Sequence, residues 1–216
     1  MDAQAWDLRY AESDLVWSAT PNQFVAAELA DLRPGRALDL ATGEGRNAIW
    51  LADRGWEVTA IDFSRIGIDK ARALQKRHER ARDLRIDWVH ADVLSYDAGP
   101  ASYDLVLLAY LQLPEGERRT VVRRGFDALA PGGTFFLVAH DSTNLTEGTG
   151  GPQDASVLFT AENVLGDVTG RGGPAGERFE VEIAQRVPRT VEAADDHRGE
   201  PARTAYDALV KLVRTK

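Results

Sequence analysis

The sequence predicts an α/β fold, a seven-stranded, mostly parallel sheet with helices on both faces and a C-terminal antiparallel β-hairpin. Three observations lead there. Strand-length apolar runs alternate with amphipathic helical stretches from Arg36 to His140. One of those runs, Tyr103 to Ala109, is almost wholly apolar, as suits a parallel strand covered on both sides. Two alternating segments near the end, Phe179 to Val191 and Arg203 to Val213, flank a polar linker carrying Gly199 and Pro201, which is the composition of a hairpin.

Taken in order, Arg36 to Leu40 is a short first strand. Arg46 to Arg54 reads as a helix with Ala48, Ile49, Leu51 and Ala52 inward, and Gly55 is placed to end it. Trp56 to Ile61 is the second strand. Ser64 is an N-cap for a helix running to about Arg82, charged on its outer face. Leu84 to His90 and Tyr103 to Ala109 are the third and fourth strands, and Glu115 to Leu129 is a helix. Pro131-Gly132-Gly133 turns the chain into a fifth strand, Thr134 to His140. Residues 142–153, rich in Gly, Thr and Asn, read as a mobile loop, Phe159 to Val168 as a short helix capped by Thr160, and residues 170–176 as turns. Residues 1–35 hold Trp6, Tyr10 and Trp17, too apolar for a free tail, and are expected to fold over the top of the sheet. The expected organisation is one domain: a cap segment over 1–35, a ligand-binding βα core over 36–140, and substrate-side loops with the hairpin over 141–216.

Composition narrows the function. A chain of 216 residues with 44% hydrophobic residues can build a sizeable core. The net charge of -8 disfavours nucleic acid as a partner. With no cysteine, disulfides, zinc–thiolate sites, iron–sulfur clusters and a cysteine nucleophile are excluded. The four histidines are scattered without metal-ligand spacing. The N-terminus does not read as a signal peptide, and the longest apolar run, around Leu105 to Leu113, falls short of the ~20 residues that span a bilayer. A soluble, cytoplasmic protein is expected, with no membrane partner, as a monomer or weak homodimer.

Ligands of open α/β sheets bind at the carboxyl ends of the strands. The first strand ends in Ala41-Thr42-Gly43-Glu44-Gly45, where two glycines admit close backbone approach and the following helix aims free N–H groups at the same place. Gly43 to Ala48 matches the dinucleotide fingerprint G-x-G-x-x-A, and Asp62 at the end of the second strand suits the ribose of NAD or of S-adenosylmethionine equally. Asp39, inside the first strand, favours the second ligand: a carboxylate suits an ammonium or sulfonium group and opposes a pyrophosphate. Asp92, after the third strand, can accept from the exocyclic amine of an adenine lying on Phe63.

The ordered set Asp39-x-Ala41-x-Gly43-x-Gly45, Asp62, Ala91-Asp92 and Leu129-Ala130-Pro131-Gly132-Gly133 resembles the motifs of class I S-adenosylmethionine-dependent methyltransferases, with Ala41 where the family usually has a glycine. The run Leu38 to Asn47, with Leu51-Ala52 and Gly55, and the N-terminal Trp6-Asp7-x-Arg9-Tyr10 and Trp17-Ser18, are similar to the tellurite-resistance methyltransferases and, more distantly, to the thiopurine methyltransferases. The resemblance implies a Rossmann-like sheet, S-adenosyl-L-methionine as cofactor and a small-molecule acceptor. It implies that Ala41, Gly43 and Gly45 contact the methionine part, that Asp39 orients its amino group and that Asp62 takes the ribose hydroxyls. Phe63 would flank one face of the adenine, with Ser64 next to it among the cofactor-binding residues, and Asp92 with the backbone of Val93 would read the adenine's edge. Ala109 and Tyr110 would sit near the sulfonium, and Trp17 would close the pocket. Arg46 faces either the cofactor carboxylate or an anionic substrate. His140 is the candidate base or substrate contact, with Tyr110 beside the methyl group; His197, in the hairpin linker, could reach the same rim. A nicotinamide-dependent oxidoreductase and a non-catalytic cofactor-binding module remain the alternatives.

Overall fold

The computed structural model describes residues 2–170, 179–191 and 203–215. Two helices, α1 (Ala3–Ala11) and α2 (Gln23–Leu29), precede the sheet. The alternating part follows as β1 (Arg36–Leu40), α3 (Arg46–Asp53), β2 (Glu57–Asp62), α4 (Arg65–Arg77), β3 (Ile86–His90), β4 (Tyr103–Ala109), α5 (Glu115–Ala128) and β5 (Leu129–His140). Then come α6 (Ala161–Thr169) and the hairpin β6 (Phe179–Val191) and β7 (Arg203–Arg214). The sheet order is β3-β2-β1-β4-β5-β7-β6, with β1 to β5 parallel and β7 antiparallel to both β5 and β6. The order reverses between β1 and β4, which opens a crevice at their carboxyl ends.

Helices cover both faces because both faces of the central strands are apolar. On one side Leu38, Leu40, Val106 and Leu108 pack with Phe126 and Phe135 under α5 and α6; on the other Ala37, Leu105, Leu107 and Val138 pack with Ile49, Leu51 and Ile68 under α3 and α4. Among the described residues, no helix is long and apolar enough to cross a membrane.

Beyond shifts of one or two residues at other ends, three segments differ from the sequence reading. Helix α4 ends at Arg77, because its buried stripe of Ile68 and Ala71 does not continue into the charged residues beyond; a helix without an apolar face to bury has little to hold it. Strand β5 begins at Leu129, which pairs with Tyr103 before an irregularity at the Pro131-Gly132-Gly133 turn and re-registers with Thr134 opposite Leu105. The segment expected to be a mobile loop is tied down at its start. Ser142–Leu145 is a 3-10 turn capped by Asp141, and the buried Asn144 donates to the carbonyl of Tyr206 and accepts from its N–H. Most of the turns expected over 170–176, and the hairpin linker with His197, lie outside the described residues.

Candidate functional site

Three residues of the loop after β1, namely Ala41, Gly43 and Gly45, hold positive φ angles of 60°, 58° and 78°. This left-handed region opposes L side chains, so Ala41 carries strain that a glycine would not. The two glycines serve different purposes. A Cβ on Gly43 would lie 2.7 Å from the hydroxyl of the buried Tyr10, so the N-terminal segment takes up that space. A Cβ on Gly45 would lie 2.4 Å from the Trp88 ring and 2.8 Å from Ala71, so close packing of the interior requires a glycine there.

Two buried carboxylates stand behind this loop. Asp39 is 1% exposed and accepts from the Thr42 hydroxyl at 2.6 Å. Burial raises its pKa to about 7 against the pull of Thr42, with Asp62 adding to the rise and Arg46 opposing it. Asp62 accepts the Gly43 N–H on one oxygen and the Ser64 N–H on the other, both at 2.8 Å, and so locks the loop to the turn after β2. Its pKa is raised by burial, which outweighs those two backbone hydrogen bonds.

Arg46 is the first residue of α3, half-buried between Ser18, the Trp17 ring and the neighbourhood of Tyr110. Burial lowers its pKa, and among the described residues it forms no ion pair with a carboxylate. Phe63 is half-buried at the β2 edge, and His90 contacts its carbonyl. The Ser64 hydroxyl accepts the Gly67 N–H and donates to Asp7, which makes it the expected helix cap and also an anchor for α1. Asp92 caps a turn through the Leu94 N–H at 2.8 Å while remaining exposed, and the neighbouring Val93 packs on the core.

The N-terminal segment straps this edge. Asp7 reaches Ser64 and the Ile66 N–H, and Tyr10 is buried over the loop, where burial and then Asp62 push its hydroxyl well above the ordinary range. Glu44, between the two glycines, is 2% exposed and accepts the N–H groups of Val16 and Trp17. Lys70 pairs with Glu44 and donates to the carbonyls of Tyr10 and Ser13. Trp17 itself stays 37% exposed between Arg9 and Arg46.

Ala109 ends β4, and Tyr110 follows with φ of 59° and its N–H bonded to the Val138 carbonyl. The Tyr110 hydroxyl donates at 2.8 Å to Asp207 of β7. Burial, and then Asp207, push its pKa up, so this tyrosine keeps its proton and is a donor, not a base. His140, at the end of β5, packs against the Tyr110 ring at 4.7 Å.

Residues 37–133 match the family described as Methyltransferase domain. Over this stretch the chain carries the methyltransferase domain of the class I S-adenosylmethionine-dependent methyltransferases. It is similar to a demethylmenaquinone methyltransferase of Thermus thermophilus, 32% identical over 116 residues that make up 52% of this chain and 51% of that one. It is also similar to the tRNA 5-carboxymethoxyuridine methyltransferase of Escherichia coli K12, 30% identical over 122 residues, 54% and 45% of the two chains. The chain spans about half the length of the curated relatives it matches. In fold it resembles the N-methyltransferase NodS of Bradyrhizobium japonicum WM9, crystallised with S-adenosyl-L-homocysteine, at a TM-score of 0.69 and 19% identity, covering 99% of this chain and 98% of that one. TehB of Haemophilus influenzae gives a TM-score of 0.68 at 18% identity, covering 91% and 63%.

Against this methyltransferase frame, the structure brings Asp39, Ala41, Gly43, Arg46, Asp62 and Phe63 to one edge, with Tyr110 and His140 on its far side beyond β4. Sequence reasoning missed the contacts of Asp7, Glu44 and Lys70, which join segments 26 to 60 residues apart and leave no local pattern. It also missed Asp207, for which there was a signal: a lone carboxylate in the apolar run Ala205 to Val210.

Proposed function

We propose that this methyltransferase carries the methyl group of S-adenosyl-L-methionine to a small-molecule acceptor. Asp39 is the observation that carries the reading. A carboxylate buried in a strand, with a single hydroxyl for a partner and its charge disfavoured by burial, is completed by a ligand bearing a cation. A pyrophosphate at the same loop would meet that charge unfavourably.

The remaining donors fit the same cofactor. Arg46, half-buried and without an ion-paired carboxylate among the described residues, suits the methionine carboxylate. Each Asp62 oxygen accepts one backbone N–H and keeps acceptor capacity for a ribose hydroxyl. Phe63 offers a flat apolar face to the adenine, and the free oxygen of Asp92 with the backbone of Val93 can read its edge. Ala109 leaves room beside the sulfur, and Trp17 can swing across the opening. S-adenosylmethionine supplies a methyl group already activated by a positive sulfur. This chain's residues therefore have to align the acceptor and exclude water, and alignment alone can be worth effective molarities of roughly 10⁵ to 10⁸ M. The strap held by Glu44 and Lys70 serves the exclusion.

Calorimetry with S-adenosylhomocysteine and with NAD(H) tests the cofactor. Binding of the former and not the latter is expected, and the reverse sinks the reading. Methyl transfer to a panel of thiols, phenols, amines, chalcogen oxyanions and a tRNA transcript tests the acceptor class. Methylation of the transcript alone would overturn the small-molecule assignment, and cofactor binding with no product from any acceptor would leave a binding module.

A further inference from the structure

The carboxyl ends of β4 and β5 meet the hairpin in a polar cluster that the cofactor does not require. Strands β5 and β7 pair so that His140 stands directly opposite Asp207. Residues so paired share a face, with Cβ atoms roughly 5 Å apart. Asp207 is 0% exposed. Its Oδ2 accepts from the Tyr110 hydroxyl at 2.8 Å and from Arg189 Nε of β6 at 2.7 Å. Its Oδ1 faces Nδ1 of His140 at 3.5 Å. Among the described residues, these two facing atoms are the buried side-chain nitrogen and oxygen without a hydrogen-bond partner. Buried orphans are rare, and a matched pair of them is a hydrogen bond awaiting a small closure, as sites often show before a ligand tightens them.

The imidazole is held in place. Tyr110 packs against one side, a Cβ on Gly151 would lie 2.7 Å from the ring, and the His140 backbone N–H donates to Gln112 at 3.0 Å. With Nδ1 turned to Asp207, Nε2 is the nitrogen left to meet a ligand at the edge where such sheets bind them. The charged and titratable groups facing the ring are Asp207 from β7, Tyr110 after β4 and Arg189 from β6, with Arg46 of α3 beyond Tyr110. Asp141, next in sequence, is turned to Thr143.

We propose that Asp207 is a positioning residue that fixes His140 as the base for the acceptor, and that the acceptor is therefore a hydroxyl or amine compound that still holds its proton at neutral pH. This rests on the methyl-transfer reading above. The carboxylate accepts the Nδ1 proton and leaves the Nε2 lone pair free. The acceptor's O–H or N–H proton passes to Nε2, and the electron pair it leaves forms the bond to the methyl carbon. The methyl–sulfur bond breaks with its pair remaining on sulfur, so the positive charge ends on the imidazole, where Asp207 stabilises it. Burial alone would push the Asp207 pKa up; the facing His140 imidazole and the hydrogen bonds from Arg189 and Tyr110 outweigh it and hold the carboxyl below its usual range. An acceptor already ionised at neutral pH would need none of this apparatus.

The test uses the full chain, nitrogen-15 labelled at histidine, with S-adenosylhomocysteine bound. There are four histidines, so the spectrum of H140Q identifies the His140 signals. The expected result is an Nδ1–H tautomer in the wild type that is lost in D207N; an unbiased tautomer mixture, or one indifferent to D207N, overturns the proposal. This readout needs no acceptor. In assays with catechol, benzylamine and benzenethiol as probes, H140Q and D207N should lower kcat on the first two by about 100-fold or more with KM little changed. H140Q should also abolish the acid limb of the pH profile. Wild-type kcat in both variants, or methylation of the thiolate alone, overturns the proposal. H140Q leaves Asp207 bonded to Tyr110 and Arg189, so the kinetic arm does not depend on D207N folding. Calorimetry separates the two readings: a wild type that does not bind S-adenosylhomocysteine defeats the methyltransferase reading itself, whereas binding without the tautomer signature defeats only the base.

Discussion

Two buried aspartates, one on each side of the crevice, have opposite fates. Asp39 in β1 has one neutral partner, and burial lifts its pKa to about 7. Asp207 in β7 is as deeply buried, yet a tyrosine hydroxyl, a guanidinium and an imidazole hold its pKa below the usual range. Burial is common to both, so partners decide the charge. In the proposed reading the first carboxylate is completed by the cofactor's cation, while the second already has its charged and polar partners within the fold.

The largest expected effect follows from that difference. Replacing Asp207 with Asn leaves Arg189 without its buried partner and should lower the unfolding free energy by about 3 kcal/mol, measured by denaturant titration at neutral pH. Its linkage has the sign of a depressed acid: the stabilisation is present above the unfolded value near 3.9 and is lost as pH falls through the lower folded value. No loss of stability in D207N would mean that the two aspartates do not differ as described.

Asp39 carries the opposite sign. Its folded pKa is raised, so its contribution is complete below the unfolded value and declines as pH rises from about 4 through about 7. D39N should remove that decline and be no less stable than wild type at pH 8. It should also weaken S-adenosylhomocysteine binding by roughly 10- to 100-fold, the worth of one charge-assisted contact. Near pH 7 the wild type should release protons on binding, seen as a heat that varies with the buffer's ionisation enthalpy, and D39N should release fewer. Equal proton release from both would show that Asp39 is not where the cofactor's positive charge sits.

The smallest effect sharpens the cofactor side alone. Ala41 holds a φ of 60°, and A41G relieves a strain of roughly 1–2 kcal/mol while adding freedom to the unfolded chain. A net gain of about 0.5–1 kcal/mol is expected by thermal denaturation. A loss would indicate that the alanine methyl makes a contact worth more than the strain.

These contrasts also show what a sequence carries and what it does not. The bounds of β4 and the start of both hairpin strands were legible because apolar runs and alternation are local signals. The Thr160 cap and the Ser64 cap were legible because capping needs one residue type at one position. The early end of α4 was not, because the pattern of charged residues suits a helix and only the lack of a surface to bury ends it. On the site edge, Asp39 and Asp62 stood out as acids at strand ends. The packing at Gly45 was not legible, since nothing local shows that Trp88, far along the chain, fills its missing side chain. Asp207 showed only as a charge out of place, and its meaning needed the register with His140.

That register also orders assembly. The cofactor edge is made by β1, β2 and β4, joined through successive crossovers, so its loops can close as the chain collapses locally. His140 meets Asp207 only when β7 has slid between β5 and β6, a closure across a much longer stretch of chain and a slower one. Under the proposed roles, a molecule with only its parallel half formed would have the Asp39 edge without the His140–Asp207 pair, and a one-residue slip of β7 would put the carboxylate on the opposite face of the sheet. Insertion of β7 is thus the step that would complete the proposed site.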